Sequence, residues 1–122
     1  MKYCTEITGW GADALAFLEN DDNRFIIIFN ENAPEELKEI AILHTMSELL
    51  TDPVVGDTVT ICDKVYEITA IGSEALHTLR ELGHCTLCFR GDSEPERPGC
   101  IMLAGEPLHP EDVVSGATIE IY

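Results

Sequence analysis

The sequence has little positive charge. Lys and Arg together number 7 among 122 residues, against 23 Asp and Glu, which gives a formal net charge of −16 at pH 7. Affinity for nucleic acid depends largely on Lys and Arg that neutralise phosphates, and anionic lipid surfaces attract basic segments. This charge balance argues against a nucleic-acid-binding protein and against docking on an anionic membrane surface.

Long hydrophobic runs are also absent. No unbroken apolar run exceeds five residues, as in Phe25–Phe29, whereas a membrane span needs about 20. The N-terminal residues Met1–Glu6 lack the apolar stretch of a secretion signal. Five cysteines without regular spacing predict reduced, mostly buried thiols rather than a disulfide framework. We therefore expect one cytoplasmic domain over residues 1–122, long enough for a core of its own and without membrane insertion.

Several motifs that would assign a chemistry are missing. The sequence contains no glycine-rich phosphate loop, no dinucleotide fingerprint and no nucleophilic-serine elbow. Cys85 and Cys88 have the spacing of redox and metal motifs, but in a strand two residues three positions apart point to opposite faces. We expect these thiols to fill a strand, with a metal site of Cys85, Cys88 and a histidine as the alternative. No cofactor or metal is expected.

Strand signals outnumber helix signals, and they predict a mostly β protein. Thr58–Ile61 and Val65–Ile71 form the pattern of a hairpin. A short helix is predicted over Ser73–Leu82, capped by Ser73 and ended by Gly83. Further strands are predicted at Phe25–Phe29, Cys85–Phe89, Ile101–Ala104 and Thr118–Ile121, and further helical turns at Pro34–Leu37 and within Ala12–Leu18.

The sequence contains one weak internal repeat. Val54–Ile61 resembles Val113–Ile121 if one inserted residue is allowed, and each segment has the pattern of a turn that leads into a strand. Two copies fit a pseudo-symmetric β-barrel better than a solenoid. A chance similarity between two loop-to-strand transitions explains the pattern equally well.

Four histidines are the candidates for chemistry. His77 lies on the polar side of the predicted helix, and His109 lies in a turn. His44 ends an otherwise apolar segment, and His84 follows the helix-ending Gly83. On pattern alone, a hydrogen-bonded structural role is commoner than catalysis for both His44 and His84.

A family resemblance assigns roles to these residues. The block Leu79–Leu87 resembles the sorbitol (glucitol)-specific enzyme IIA of the bacterial phosphoenolpyruvate-dependent sugar phosphotransferase system. Agreement continues over nearly the whole chain. The other matching segments are Ala70–Ser73, Phe29–Pro34 with Leu37, Ile42–His44 with Glu48 and Leu49, Phe89–Gly91, Pro98–Gly99, Ala104–Gly105 and Ser115–Gly116.

The resemblance implies a fold and a function. It supports a small closed or nearly closed β-barrel with one or two short helices, and it implies that His44 is the phosphorylated nucleophile. The phosphoryl group would come from the carrier HPr and pass to the IIB component of a sorbitol/glucitol permease that also contains IIC. Some relatives carry a second histidine two residues after the first, where this chain has Met46.

His84 lies inside the most specific matching block, and two roles for it are open. In one, His84 lies near His44 and donates a hydrogen bond to the phosphoryl oxygens. In the other, it caps the turn at Leu82 and Gly83. Two rival functions for the whole chain are a non-catalytic β-barrel module for interaction or flux sensing, and a small Cys/His metal-binding protein.

Overall fold

Eight strands account for most of the apolar and alternating segments. The structure is a computed structural model that describes all residues 1–122. The strands are β1 (Tyr3–Trp10), β2 (Phe25–Asn30), β3 (Ile42–His44), β4 (Thr58–Ile61), β5 (Lys64–Ile71), β6 (Cys85–Cys88), β7 (Cys100–Gly105) and β8 (Thr118–Ile121). The six predicted strands are all present. β1 and the short β3 are two further strands that the sequence did not predict.

The strands close into a barrel in the order β1-β3-β2-β6-β7-β5-β4-β8, with β8 pairing back onto β1. The pairs β2/β3 and β6/β7 are parallel, and all other neighbours are antiparallel. Closure leaves no sheet edge unpaired. The mostly β barrel predicted from the resemblance is confirmed.

Helices are few and short, as predicted. They are α1 (Glu35–Lys38) and α2 (Ala75–Leu82), with single 3₁₀ turns at Ala16–Leu18 and Pro110–Asp112. Gly83 ends α2 in the left-handed conformation at φ 63°, as expected. The predicted cap was wrong, because α2 begins after Glu74 and no side chain caps its first turn. Neither helix is long or apolar enough to cross a bilayer.

The barrel interior holds one main core of 22 buried residues, in which isoleucines such as Ile26, Ile42 and Ile101 recur. Cys85 belongs to this interior core, whereas Cys88 packs on the outside with Cys100 and Met102. The two thiols of the C-x-x-C spacing therefore point to opposite faces of β6, as its strand geometry predicts. All five cysteines are free thiols, and no group of three or more His, Cys, Asp or Glu side chains converges.

The internal repeat corresponds to a pseudo-twofold relation between the halves of the barrel. Its two copies lead into β4 and β8, which pair with each other through Val59–Ile121 and Ile61–Ile119. In one half β3 lies between antiparallel β1 and parallel β2, and in the other β7 lies between antiparallel β5 and parallel β6. Both antiparallel pairs carry a register shift at the same place.

Candidate functional site

His44 ends β3 with its side chain inside the barrel. The residue is 0% exposed, and Thr5 on the neighbouring β1 is the other polar residue that is almost fully buried. Under the pseudo-twofold relation, Leu103 on β7 is the residue equivalent to His44 on β3. This equivalence follows from the register, since Ile7 pairs with His44 in one half and Ile68 pairs with Leu103 in the other. Leu103 is buried in the core. The barrel thus accepts an apolar residue at this position, so its architecture alone does not require a buried imidazole.

A chain of hydrogen bonds holds the imidazole. Its Nδ1 lies 2.9 Å from Oγ1 of Thr5 and 2.9 Å from the carbonyl oxygen of Thr45. Oγ1 of Thr5 in turn lies 2.9 Å from Oγ1 of Thr45, which accepts from the backbone N–H of Glu6. On the other side of the ring, Nε2 lies 2.8 Å from the carbonyl oxygen of Gly83. Both ring nitrogens are therefore engaged.

Burial lowers the pKa of His44, although the Thr45 and Gly83 carbonyls and the charge of Glu31 favour the protonated form. A neutral ring carries one N–H. With Nε2–H donating to the Gly83 carbonyl, Nδ1 needs a donor, and the hydroxyl of Thr5 can supply it only by turning away from the Thr45 carbonyl, to which it otherwise donates at 2.5 Å. In the alternative tautomer the proton is on Nδ1, and Nδ1–H can donate to the Thr45 carbonyl. In that tautomer the Nε2 lone pair would face the Gly83 oxygen, so it requires Gly83 to move.

Two neighbours complete the surroundings of the ring. Tyr3 meets it edge-on, with ring centroids 6.4 Å apart at an interplanar angle of 86°. Asn30 lies directly opposite His44 in the parallel β2/β3 register. Its Oδ1 is buried and has no hydrogen-bond partner. Asn30 and Thr5 were not among the candidate residues. The sequence signal that could have identified Thr5 is its spacing of two from both Tyr3 and Ile7, which places the three side chains on one face of a strand.

His84 is adjacent to this site along the backbone, but its ring points elsewhere. The ring stacks on Phe29 with centroids 4.6 Å apart, and Nδ1 lies 3.1 Å from the carbonyl oxygen of Ile28. Phe29 packs with Ala33 and Ala41 in a separate cluster outside the main core. No hydrogen bond joins His84 to His44. Their connection runs through the backbone, since the carbonyl that contacts His44 belongs to the residue before His84.

The remaining histidines and the nearest acidic residue lie apart from His44. His77 is exposed on α2. His109 accepts from Arg24 and its backbone N–H donates to Asp112, so it organises a turn. Glu48 lies beyond the end of β3 and is exposed. Neither of these histidines, nor Glu48, contributes a hydrogen bond to the imidazole.

The surface cavities are not at this site. One, of about 160 Å³, is lined by Phe17, Phe25, Cys88 and Cys100 among others. Another, of about 360 Å³, includes Arg24, Phe89 and Arg90. Neither includes His44 or Asn30. The surroundings of His44 present exposed apolar side chains instead, with Met46 62% and Leu82 46% exposed. Such a surface suits contact with another protein better than capture of a small molecule.

Comparison with known proteins gives consistent results. Residues 2–120 match the family described as "PTS system glucitol/sorbitol-specific IIA component". Relatives named "PTS system glucitol/sorbitol-specific EIIA component" from Escherichia coli (strain K12) and Shigella flexneri are each 38% identical over 118 residues, which cover 97% of this chain and 92% of the relative. The crystal structure of a PTS system IIA component from Enterococcus faecalis V583 has a TM-score of 0.77 and 27% identity, covering 97% of this chain and 98% of that one. The range of this chain that matches the family, residues 2–120, contains His44, Thr5, Asn30 and Gly83.

Proposed function

Because this chain belongs to the glucitol/sorbitol-specific IIA components of the phosphotransferase system, and is therefore a phosphotransferase component of sugar import, we propose that His44 carries the phosphoryl group. The observation that carries the proposal is the buried His44–Thr5 pair, at a position where the other half of the barrel has Leu103. A buried polar group costs free energy, so retaining one where the fold accepts an apolar residue favours a functional role.

The contacts of the ring support Nε2 as the nucleophile. Nδ1 is enclosed by β1 and by Thr45, whereas Nε2 is covered by the single carbonyl of Gly83. Its lowered pKa keeps the imidazole neutral near pH 7, which is the form that can attack phosphorus. In the reactive tautomer Nδ1–H would donate to the Thr45 carbonyl, and this bond would stabilise the positive charge that the ring gains on phosphorylation.

The proposed donor and acceptor are proteins. The donor is the phosphohistidine of HPr, and the acceptor is the cysteine of the cognate IIB component of a sorbitol/glucitol permease whose membrane component is IIC. The exposed Met46 and Leu82, together with the strongly acidic surface, support docking of protein partners at this end of the barrel. We propose that residues 1–122 act as one cytoplasmic domain that meets the permease transiently at the membrane.

Of the two roles open for His84, its contacts favour the structural one. The stacking on Phe29 and the hydrogen bond to Ile28 fix the strand that follows Gly83. His84 would then stabilise the start of β6 next to Gly83 without contacting the phosphoryl group. A phosphoryl contact from the His84 ring would require the ring to leave Phe29.

The test is phosphorylation by purified components. The protein is incubated with phosphoenolpyruvate, enzyme I and HPr, and labelled phosphate on the chain is measured. Wild type should acquire acid-labile, alkali-stable phosphate, and His44→Gln should acquire none, whereas His77→Gln, at an exposed histidine, should label like wild type. Absence of label on wild type, or label that persists in His44→Gln, would refute the assignment. Onward transfer is tested by adding the IIB component and measuring loss of label from His44.

A further inference from the structure

The site described above is closed. His44 is 0% exposed, and the Gly83 carbonyl lies 2.8 Å from Nε2. A phosphoryl group on Nε2 needs the space that this carbonyl now occupies. If His44 is phosphorylated, as proposed above, the Gly83 turn must therefore move away from the ring. The residues that line the vacated space would then surround the phosphoryl oxygens.

Asn30 lines that space. A Cβ placed on Gly83 would lie 2.0 Å from Oδ1 of Asn30 and 2.8 Å from Cε1 of His44, so Gly83 lies between the carboxamide and the imidazole. The register agrees, because Asn30 and His44 are opposite residues on parallel strands and their side chains share a face. The carboxamide is thus held beside the position that a phosphoryl group on Nε2 would take.

The carboxamide oxygen of Asn30 is unsatisfied in the closed state. Its Oδ1 is buried without a hydrogen-bond partner, one of four such side-chain atoms in the protein. Buried polar atoms are nearly always paired, so an unpaired one calls for an explanation, and a contact made in another state of the protein is one such explanation. Rotation of the amide by half a turn would present its NH₂ group to the same space, which gives two donors to phosphoryl oxygens.

The site needs such a donor, because no cation reaches it through a hydrogen bond. Six of the seven Lys and Arg side chains form ion pairs with acidic residues, and none of the seven bonds to His44 or Asn30. We propose that Asn30 is a further catalytic residue, whose carboxamide binds the phosphoryl oxygens once the Gly83 turn has moved off Nε2. This inference rests on the proposed function of His44.

The transfer step balances with these groups. The Nε2 lone pair of neutral His44 attacks phosphorus, the P–N bond of the donor phosphohistidine breaks, and its electron pair returns to the donor nitrogen. Once the Gly83 turn has moved, Nε2 loses its proton to solvent and Nδ1 gains one; the proton on Nδ1 then stays in place during transfer and donates to the Thr45 carbonyl. The NH₂ group of Asn30 donates to oxygens of the phosphoryl group as it moves, and no proton is gained or lost by the carboxamide.

The test uses Asn30→Leu in the full chain, with Asn32→Ala, at the exposed asparagine in the turn just after β2, as the control. Two donors are compared, phospho-HPr and the small donor phosphoramidate, which needs no docking surface. We expect Asn30→Leu to label at least about tenfold more slowly than wild type with both donors. Its midpoint of unfolding in urea should be equal to or above that of wild type, because the variant removes an unpaired buried oxygen. Asn32→Ala should match wild type in its labelling rate with both donors and in its midpoint of unfolding.

Three results would overturn the proposal. The first is labelling of Asn30→Leu within twofold of wild type with both donors, and the second is slowing with phospho-HPr alone, which would indicate a docking role. The third is measured on wild type, without a variant. The side-chain NH₂ signal of Asn30 should shift in a ¹⁵N–¹H spectrum when His44 is phosphorylated. An unchanged Asn30 signal on a labelled protein refutes the contact and leaves the role of His44 intact. Failure of wild type to label would instead refute the proposed function itself.

Discussion

The carbonyl oxygen of Gly83 lies 2.8 Å from Nε2 of His44, and the backbone of Gly83 comes so close to the ring that a Cβ there would lie 2.8 Å from Cε1. Gly83 has a positive φ of 63° and is the C-terminal cap of α2. The same residue therefore ends the helix, covers the imidazole and fixes the tautomer of the closed state. Access to His44 is coupled to the conformation of one helix-ending turn.

Gly83→Ala should open this turn. The left-handed conformation costs a residue with a Cβ about 1–2 kcal/mol, and the new methyl would overlap Asn30 and His44. Gly116→Ala is the matched control, since Gly116 has a positive φ of 91° but nothing within 4 Å of its Cβ position. We expect Gly83→Ala to lose more unfolding free energy than Gly116→Ala. Gly83→Ala, but not Gly116→Ala, should speed modification of His44 by diethylpyrocarbonate, measured by mass spectrometry. If Gly83→Ala left the rate of His44 modification unchanged, as Gly116→Ala should, the Gly83 turn would not control access to the ring.

Burial of His44 should make the protein less stable in mild acid. The ordinary pKa of histidine is about 6.5, and burial lowers the pKa of His44 in the folded chain. As the pH falls below about 7, the unfolded chain binds this proton before the folded one does, so stability is lost from the ordinary pKa downward to the folded pKa. We expect wild type to lose more unfolding free energy than His44→Gln between about pH 7.5 and pH 5.5, measured by urea denaturation. Parallel curves for the two proteins would contradict the lowered pKa.

The hydroxyl of Thr5 should be needed for both stability and labelling. Thr5→Val keeps the shape but leaves Nδ1 of His44 and Oγ1 of Thr45 without their shared partner. We expect a loss of about 1–3 kcal/mol in unfolding free energy and slower labelling by phospho-HPr. Thr5→Ser keeps the hydroxyl and should retain most of the wild-type stability and labelling rate. Thr8→Val, at an exposed residue of the same strand, is the control. Were Thr5→Val as stable as Thr8→Val, the hydrogen-bond chain would have no energetic role.

Much of the barrel could be predicted because its signals are local. Phe25–Phe29 is an apolar, β-branched run that forms most of β2, and the left-handed conformation at Gly83 follows from the helix pattern before it. β1 was not predicted, because its residues Tyr3, Thr5 and Ile7 alternate with Cys4, Glu6 and Thr8 without forming an apolar run. A search for residues that alternate between two faces with a period of two would have identified this strand.

The site could be predicted only in part, because its geometry depends on pairings between distant segments. The resemblance singled out His44 and His84, but the partners of His44 come from β1 and from the turn after α2. Asn30 meets His44 only through the parallel β2/β3 register, which no local pattern determines. The ring of His84 was expected near His44 in one of two hypotheses, yet alternation along the chain turns it toward Phe29. The direction of a side chain follows from register, which sequence spacing alone does not give.

Replacing His84 should affect stability more than phosphoryl transfer. Its ring contributes a stacked contact with Phe29, a type of pair worth about 0.5–1.5 kcal/mol. We expect His84→Gln to lower the unfolding free energy by about that amount while labelling of His44 stays within about threefold of wild type. Phe29→Leu removes the same contact from the other side and should have a similar effect on stability. A tenfold or larger loss of labelling in His84→Gln, with stability unchanged, would favour a direct contact with the phosphoryl group.

The excess of 23 acidic over 7 basic residues should accelerate encounter with the phosphoryl donor. An acidic surface attracts a basic patch on a partner, and this attraction weakens as salt shortens the Debye length from about 10 Å at 0.1 M to about 3 Å at 1 M. We expect second-order labelling by phospho-HPr to slow as ionic strength rises. The neutralising change Glu31→Gln, beside the site, should slow it at low salt. Glu111→Gln should not, because its 3₁₀ turn adjoins His109, which contacts Arg24 just before β2, whereas His44 lies at the opposite end of that strand. Stopped-flow quench at several salt concentrations measures both effects. A rate that does not change with salt would mean that the carboxylates serve solubility alone.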